Sequence, residues 1–210
     1  MIAQFAEMTK LEPIPPADAQ LTELRALLAR RAQLVEMAKA EKQRGAKAEN
    51  PLTRRSYAKV LRQLQAEITR IERAIGKLID ASPVFQAKAA LLKSIPGVGD
   101  VVARVFIAEL PELGIVDRHE IAALVGVAPI NQDSGRWRGK RKIRAGRPQV
   151  RAPLYVACLS MIQCNKPLRY RRLVAAGKEK KLALIAVMRK LVVIANAMVK
   201  AGKPWTAADA

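Results

Sequence analysis

From Leu61 onward, apolar residues return in steps of three and four: Leu61, Leu64, Ile68, Ile71, Ile75 and Leu78. That is the a/d repeat of a helix laying one apolar seam on a partner. Upstream, Leu21, Leu24, Leu28, Val35 and Ala38 follow a heptad-like spacing, with Arg31 at one seam position. Between the two runs, Gly45 to Thr53 contains Gly, Asn and Pro and predicts a loop. Two helices of about 25 residues joined by a short loop make an antiparallel hairpin. Asp18 is placed to cap the first of them near Ala19. Residues 11–19 hold three prolines and read as a linker. The arm, residues 20–82, has two readings: it packs on its own domain, or it pairs two protomers.

Residues 83–205 read as a second, compact helical unit, with 206–210 as a tail. Pro83 breaks the arm, and a helix from Phe85 to Lys93 follows. Ser94-Ile95-Pro96-Gly97-Val98-Gly99 then makes a tight turn into a helix from Asp100 to Leu110. A G-x-G invites a dinucleotide reading, but Val102 fills the third small position and no strand precedes it. Helix, Pro-Gly-Val-Gly turn, helix instead resembles the helix-hairpin-helix element, in which turn amides at Gly97 and Gly99 hold a backbone phosphate. A short helix from His119 to Val125 leads to Gly126-Val127-Ala128-Pro129, with the one histidine at the surface. The run Leu154 to Ile162 is apolar enough that Ser160 is expected to face a helix core. Leu182 to Val199 is apolar but cut by Arg189-Lys190, short of the ~20 largely uncharged residues of a spanning helix. No leader pattern stands at Met1 to Lys10, so neither a membrane anchor nor export is expected.

Composition agrees with this all-α reading, a coiled-coil arm followed by a compact helical domain. Half of the 210 residues are apolar but only 4% aromatic, a mix that favours helices packed on helices over a sandwich or barrel. Cys158 and Cys164 with a single histidine exclude a disulfide framework and make no zinc site. Reduced thiols and a cytoplasmic location follow.

Charge changes the picture more. There are 38 Lys and Arg against 18 Asp and Glu, a formal net charge of +20. From Ser134 to Lys203 there are 19 basic residues and one acid, Glu179. Such a span repels itself unless a polyanion neutralises it, which points to nucleic acid. At its start lies Asn131-Gln132-Asp133-Ser134-Gly135-Arg136-Trp137-Arg138-Gly139-Lys140-Arg141-Lys142-Ile143, which has no core pattern. Ser134 stands there followed by glycine, at the edge of Arg136, Arg138, Lys140, Arg141 and Lys142, with Arg144 and Arg147 beyond. Trp137 is suited to stack on an unpaired base, or else to anchor a core. Read blandly, the segment is a basic surface loop and Ser134 a turn residue, because no base or metal ligand adjoins it in sequence.

The order of segments sharpens that reading. Ile95-Pro-Gly-Val-Gly99, then Leu124-Val-Gly-Val-Ala-Pro129, then Ser134-Gly135 with a basic run to Gly146-Arg147 resembles the C-terminal half of transposases of the insertion sequence 110 family. Ala176-Gly-Lys, Lys180-Lys181 and Met188-Arg-Lys-Leu191 add to the likeness, which covers about residues 18–205. The resemblance implies a bridge-RNA-guided recombinase in which Ser134 attacks DNA and the arm assembles protomers into a homo-oligomer. DNA and a guide RNA are the implied partners, with Lys180 and Lys181 among the contacts. It also implies a preceding ribonuclease-H-like domain with a DEDD set of acids for Mg2+. That domain is expected ahead of Met1, where Ile2-Ala-Gln-Phe5 resembles the residues after its last acid. The carboxylates before Pro83 have no spacing that builds a magnesium site. This chain alone is therefore expected to hold no cofactor and to bind DNA without cutting it. A non-catalytic nucleic-acid-binding or regulatory module is the alternative.

Overall fold

A computed structural model describes residues 18–139, 141–164 and 170–206. The first described helix is α1 (Ala19–Lys47), whose cap is Asp18: the carboxylate accepts from the Gln20 amide at 2.9 Å. α2 (Pro51–Asp80) begins at once after a three-residue link, because Asn50 Oδ1 accepts from the Leu52 and Thr53 amides and Pro51 occupies a first-turn position that needs no donor. The expected loop over Gly45–Thr53 is thus too wide. Gly45 stays inside α1, where a side chain would press on Tyr57 of α2; it allows close approach instead of ending the helix.

The two helices form the expected hairpin, and the seam residues Leu64 and Ile75 of α2 are buried against α1. Farther along α1 it is Leu34 that is buried, where the heptad reading points to Val35. Arg31, the polar seam position, donates to Glu72 at 2.8 Å, so a charge inside the seam is answered across it. Burial deepens towards the base, where Leu24 and Ile75 are fully enclosed. There the arm joins the main core: Leu24, Leu28, Ile75 and Ile79 belong to one cluster with Phe85, Leu92 and Phe106. Arg25 also donates to the Ala108 carbonyl at 2.8 Å.

The remaining helices are α3 (Pro83–Lys93), α4 (Asp100–Glu109), α5 (Arg118–Val125), α6 (Pro148–Cys164), α7 (Tyr170–Ala175) and α8 (Lys180–Ala201). Pro83 starts α3 as well as ending the arm, and Ser82 is its cap residue. α5 carries a capping box: Asp117 accepts from the His119 and Glu120 amides, and Glu120 accepts from the Asp117 amide. Those amides hold the Asp117 carboxyl below its usual range. α8 packs on α3, α5, α6 and α7, with Leu184, Val187, Met188, Leu191 and Val192 buried. By length and composition it is also long and apolar enough to cross a membrane, since two charges do not disqualify it as the sequence reading holds. Its most apolar stretch is mostly enclosed by the other helices. Asn196, buried on α8, accepts from the Gly114 amide at 2.7 Å and donates to the Val116 carbonyl at 2.8 Å, tying the 110–117 connection down. Cys158 is buried and its thiol is pushed up to about 12 by desolvation.

Candidate nucleic-acid interface

The patternless segment after α5 folds as a finger. Its base is an antiparallel pair between β1 (Pro129–Ile130) and β4 (Lys142–Ile143). Above it, β2 (Asp133–Ser134) pairs with β3 (Trp137–Arg138) in a hairpin whose two-residue turn is Gly135-Arg136. Gly135 has φ +56°, the left-handed value that the first position of such a turn requires. The sequence reading gives no strands here, because pairs of two residues leave no readable alternation.

The finger rests on a clamp. After Gly126 ends α5 in the left-handed region, the returning chain at Ala145-Gly146 crosses directly over it. A side chain on either glycine would strike the other strand's backbone. Arg151 donates to the Ala145 carbonyl at 2.6 Å. Arg147 reaches inward: it grips Glu112 through both oxygens at 2.7 and 2.6 Å and donates to the Glu109 carbonyl at 2.6 Å. The Arg147 guanidinium holds the Glu112 carboxyl below its usual range, and Glu112 raises Arg147 in turn. Of the predicted cations, Arg147 is therefore a structural residue. Arg151 and Glu112 are the clamp residues that the sequence reading misses.

The other predicted finger cations, Arg136, Arg138, Arg141, Lys142 and Arg144, are all exposed. Lys140 lies outside the described residues, as do residues 1–17 of the expected 1–19 linker and residues 207–210 of the tail. Lys180 and Lys181 are exposed at the start of α8, on a separate element. Ser134 is exposed at the hairpin apex, and Trp137 opposite it is 62% exposed, so it anchors no core. Ser160, expected to face a core, is exposed instead and lines an apolar groove of about 910 Å³ between α1, α4 and α6.

The turn before α4 is occupied more than the sequence suggests. Gly97 has φ +91°, and a side chain there would meet Met161 Cγ at 2.5 Å, so packing on α6 also demands glycine. Gly99 caps α4 in extended backbone with open space around it. The helix end already holds a carboxylate: Asp100 pairs with Lys93 at 2.8 Å, which lowers its carboxyl below the usual range. Among the described residues no group of three or more His, Cys, Asp or Glu is placed to hold a metal ion.

Comparison with known proteins places these features in context. Two relatives are pilin gene-inverting proteins, from Moraxella bovis (26% identical over 151 residues) and Moraxella lacunata (27% over 158 residues). Each alignment covers 69% of this chain and 47% of the relative, so the chain spans about half the length of these curated relatives. Residues 89–172, which contain the turn, the clamp and the finger, match the model of the transposase IS116/IS110/IS902 family.

Proposed function

We propose that this protein is a component of a DNA transposase or recombinase, with the finger from Asn131 to Arg144 as its principal nucleic-acid contact and Ser134 as the nucleophile. The observation that carries the reading is the apex. One exposed hydroxyl stands next to a two-residue turn, across the ladder from an exposed indole and among five exposed cations, on a base held by Arg147 and Glu112. Such cations neutralise phosphates without reading sequence. In strand exchange the Ser134 oxygen would form a P–O bond as one ester bond of the phosphodiester breaks. The hydroxyl proton would pass to a base, and the departing sugar oxygen would take one up. Cations stabilise the charges in that step but accept no proton. The finger cations thus supply charge neutralisation, and the arm is the element that would bring a second protomer or domain, with further base and metal groups, to the finger. A guide RNA would meet the same basic surface.

A second reading, a module that binds nucleic acid without cutting it, draws on the same five exposed finger cations and does not need Ser134. The two separate on a denaturing gel. With a supercoiled plasmid and Mg2+, the chain alone is expected to bind and leave the plasmid intact. With a family metal domain added, a covalent protein–DNA adduct should form and should vanish in Ser134→Ala while binding is kept. An adduct that survives Ser134→Ala, or moves to Ser160, removes Ser134 from the role.

A further inference from the structure

Ser134 and Trp137 close the β2–β3 ladder as direct partners. Opposed residues of an antiparallel pair send their side chains from the same face, with Cβ atoms about 5 Å apart. Asp133 and Arg138, the next pair, leave from the other face, where they make a long ion pair of 3.9 Å. The hydroxyl and the indole therefore share a face from which the neighbouring charges are turned away.

Gly139 explains how the indole is held. Its φ lies outside the left-handed region, so the turn does not require glycine there. A side chain on it would run into the far edge of the Trp137 ring and the Gln132 carbonyl oxygen. The ring thus leans on bare backbone, and the ring stays 62% exposed. From 131 to 142 Trp137 is the one large apolar side chain. A protein-docking patch needs a contiguous apolar surface, which the finger lacks. An aromatic platform among cations suits a nucleobase.

We infer that Trp137 is a stacking platform for an unpaired base, and that the stack sets which phosphate lies against Ser134. The inference rests on the DNA reading above and deepens it. In a duplex each base face is covered by its neighbours, so the indole gains nothing unless a base is unpaired or flipped. The finger cations hold paired and unpaired strands alike. Trp137 adds a term only for the unpaired base, and its partner across the ladder is the serine. Trp137 is accordingly a positioning residue.

The test uses the full chain and three probes of one sequence: a fully paired duplex, the same duplex with a short unpaired bulge, and the single strand. Bulge and single strand are expected to quench tryptophan fluorescence, the duplex hardly at all, and the quench should be absent in Trp137→Phe. Trp137→Ala should weaken bulge and single-strand binding by roughly 5- to 100-fold, with duplex binding changed less than about 2-fold. Trp137→Phe should keep most of the affinity, and circular dichroism of all variants should match the parent. Equal losses on all three probes, or none, would overturn the platform. A parent chain that binds none of the probes would overturn the DNA reading itself, before any variant is made. For the register, Ser134→Cys should be trapped as a disulfide by a thiol tethered to the phosphate beside the bulge, above the background of the parent's own cysteines. That preference should disappear when Trp137→Ala is added. Trapping that is uniform along the probe defeats the positioning role.

Discussion

Two arginines of one basic run, Arg138 and Arg147, face opposite ways. The Arg138 side chain is 87% exposed, and that of Arg147 is 28% exposed and locked to Glu112. Arg147→Ala should therefore cost about 1–3 kcal/mol of stability, as expected for charge-assisted bonds to a carboxylate and a part-buried carbonyl, and should lower the melting midpoint. Arg138→Ala should leave that midpoint within error. The pH dependence follows from the lowered Glu112 carboxyl. A depressed carboxylate contributes its stability above its unfolded pKa, about 4.3, and loses it as pH falls through the folded value. Melting curves of the parent and of Glu112→Gln should differ at about pH 6 and converge towards about pH 3. Curves that stay equally far apart at every pH would show that the ion pair is not what Glu112 contributes. Cys158, with its thiol raised to about 12, should resist alkylation in the folded protein.

At the scale of elements, the arm divides into a base and a shaft. Ile75 is fully enclosed where α1, α2 and the body meet, whereas Ile68 is half-buried farther along. Read from sequence, lysine at either site tests protomer pairing. The structure separates them, since Ile75 belongs to the chain's own core. Ile75→Lys buries an unpaired charge and should cost more than ~4 kcal/mol, seen as a collapse of the melting transition. Ile68→Lys should fold. If the arm pairs protomers through its shaft, Ile68→Lys should lower the mass in light scattering at equal concentration. A parent protein that is already monomeric there leaves the seam to the intramolecular hairpin. The finger behaves as an element too: its strands are too short to hold themselves, and the Gly126–Gly146 crossing supplies the anchorage.

Taken as a whole molecule, the fold buries the apolar face of α8 and leaves Arg136, Arg138, Arg141, Lys142 and Arg144 exposed together on one projection. Binding to duplex DNA should fall steeply with salt, by ~0.9 log units per phosphate per log unit of salt. Arg136→Ala, Arg138→Ala and Arg141→Ala together should reduce that slope by about three contacts, with the melting midpoint unchanged. An affinity indifferent to salt between about 50 and 200 mM would show that the finger does not bind through phosphates.

Much of this organisation is local and therefore legible along the chain. Spacings of three and four make the hairpin because a helix repeats on that period, and Asp18 starts a helix because its oxygen reaches a first free amide; Asn50 and Asp117 cap in the same local way, though the sequence reading does not single them out. The likeness to a transposase family was legible as an order of motifs, and residues 89–172 match that family. Ser134, Arg136 and Trp137 stood out because nothing in their pattern served a core. What the sequence left open depends on contacts between distant segments. Gly97 is needed by Met161, Gly126 by Gly146, Gly139 by an indole, and no spacing rule reports which glycine lies under which neighbour. Arg147 and Arg138 look alike in a string of cations; only the fold puts Glu112 beside one of them and solvent around the other. Composition and charge pattern are properties of the chain, whereas a side chain's partner is a property of tertiary packing, and that packing selected the residues of the basic run that remain free to meet a phosphate.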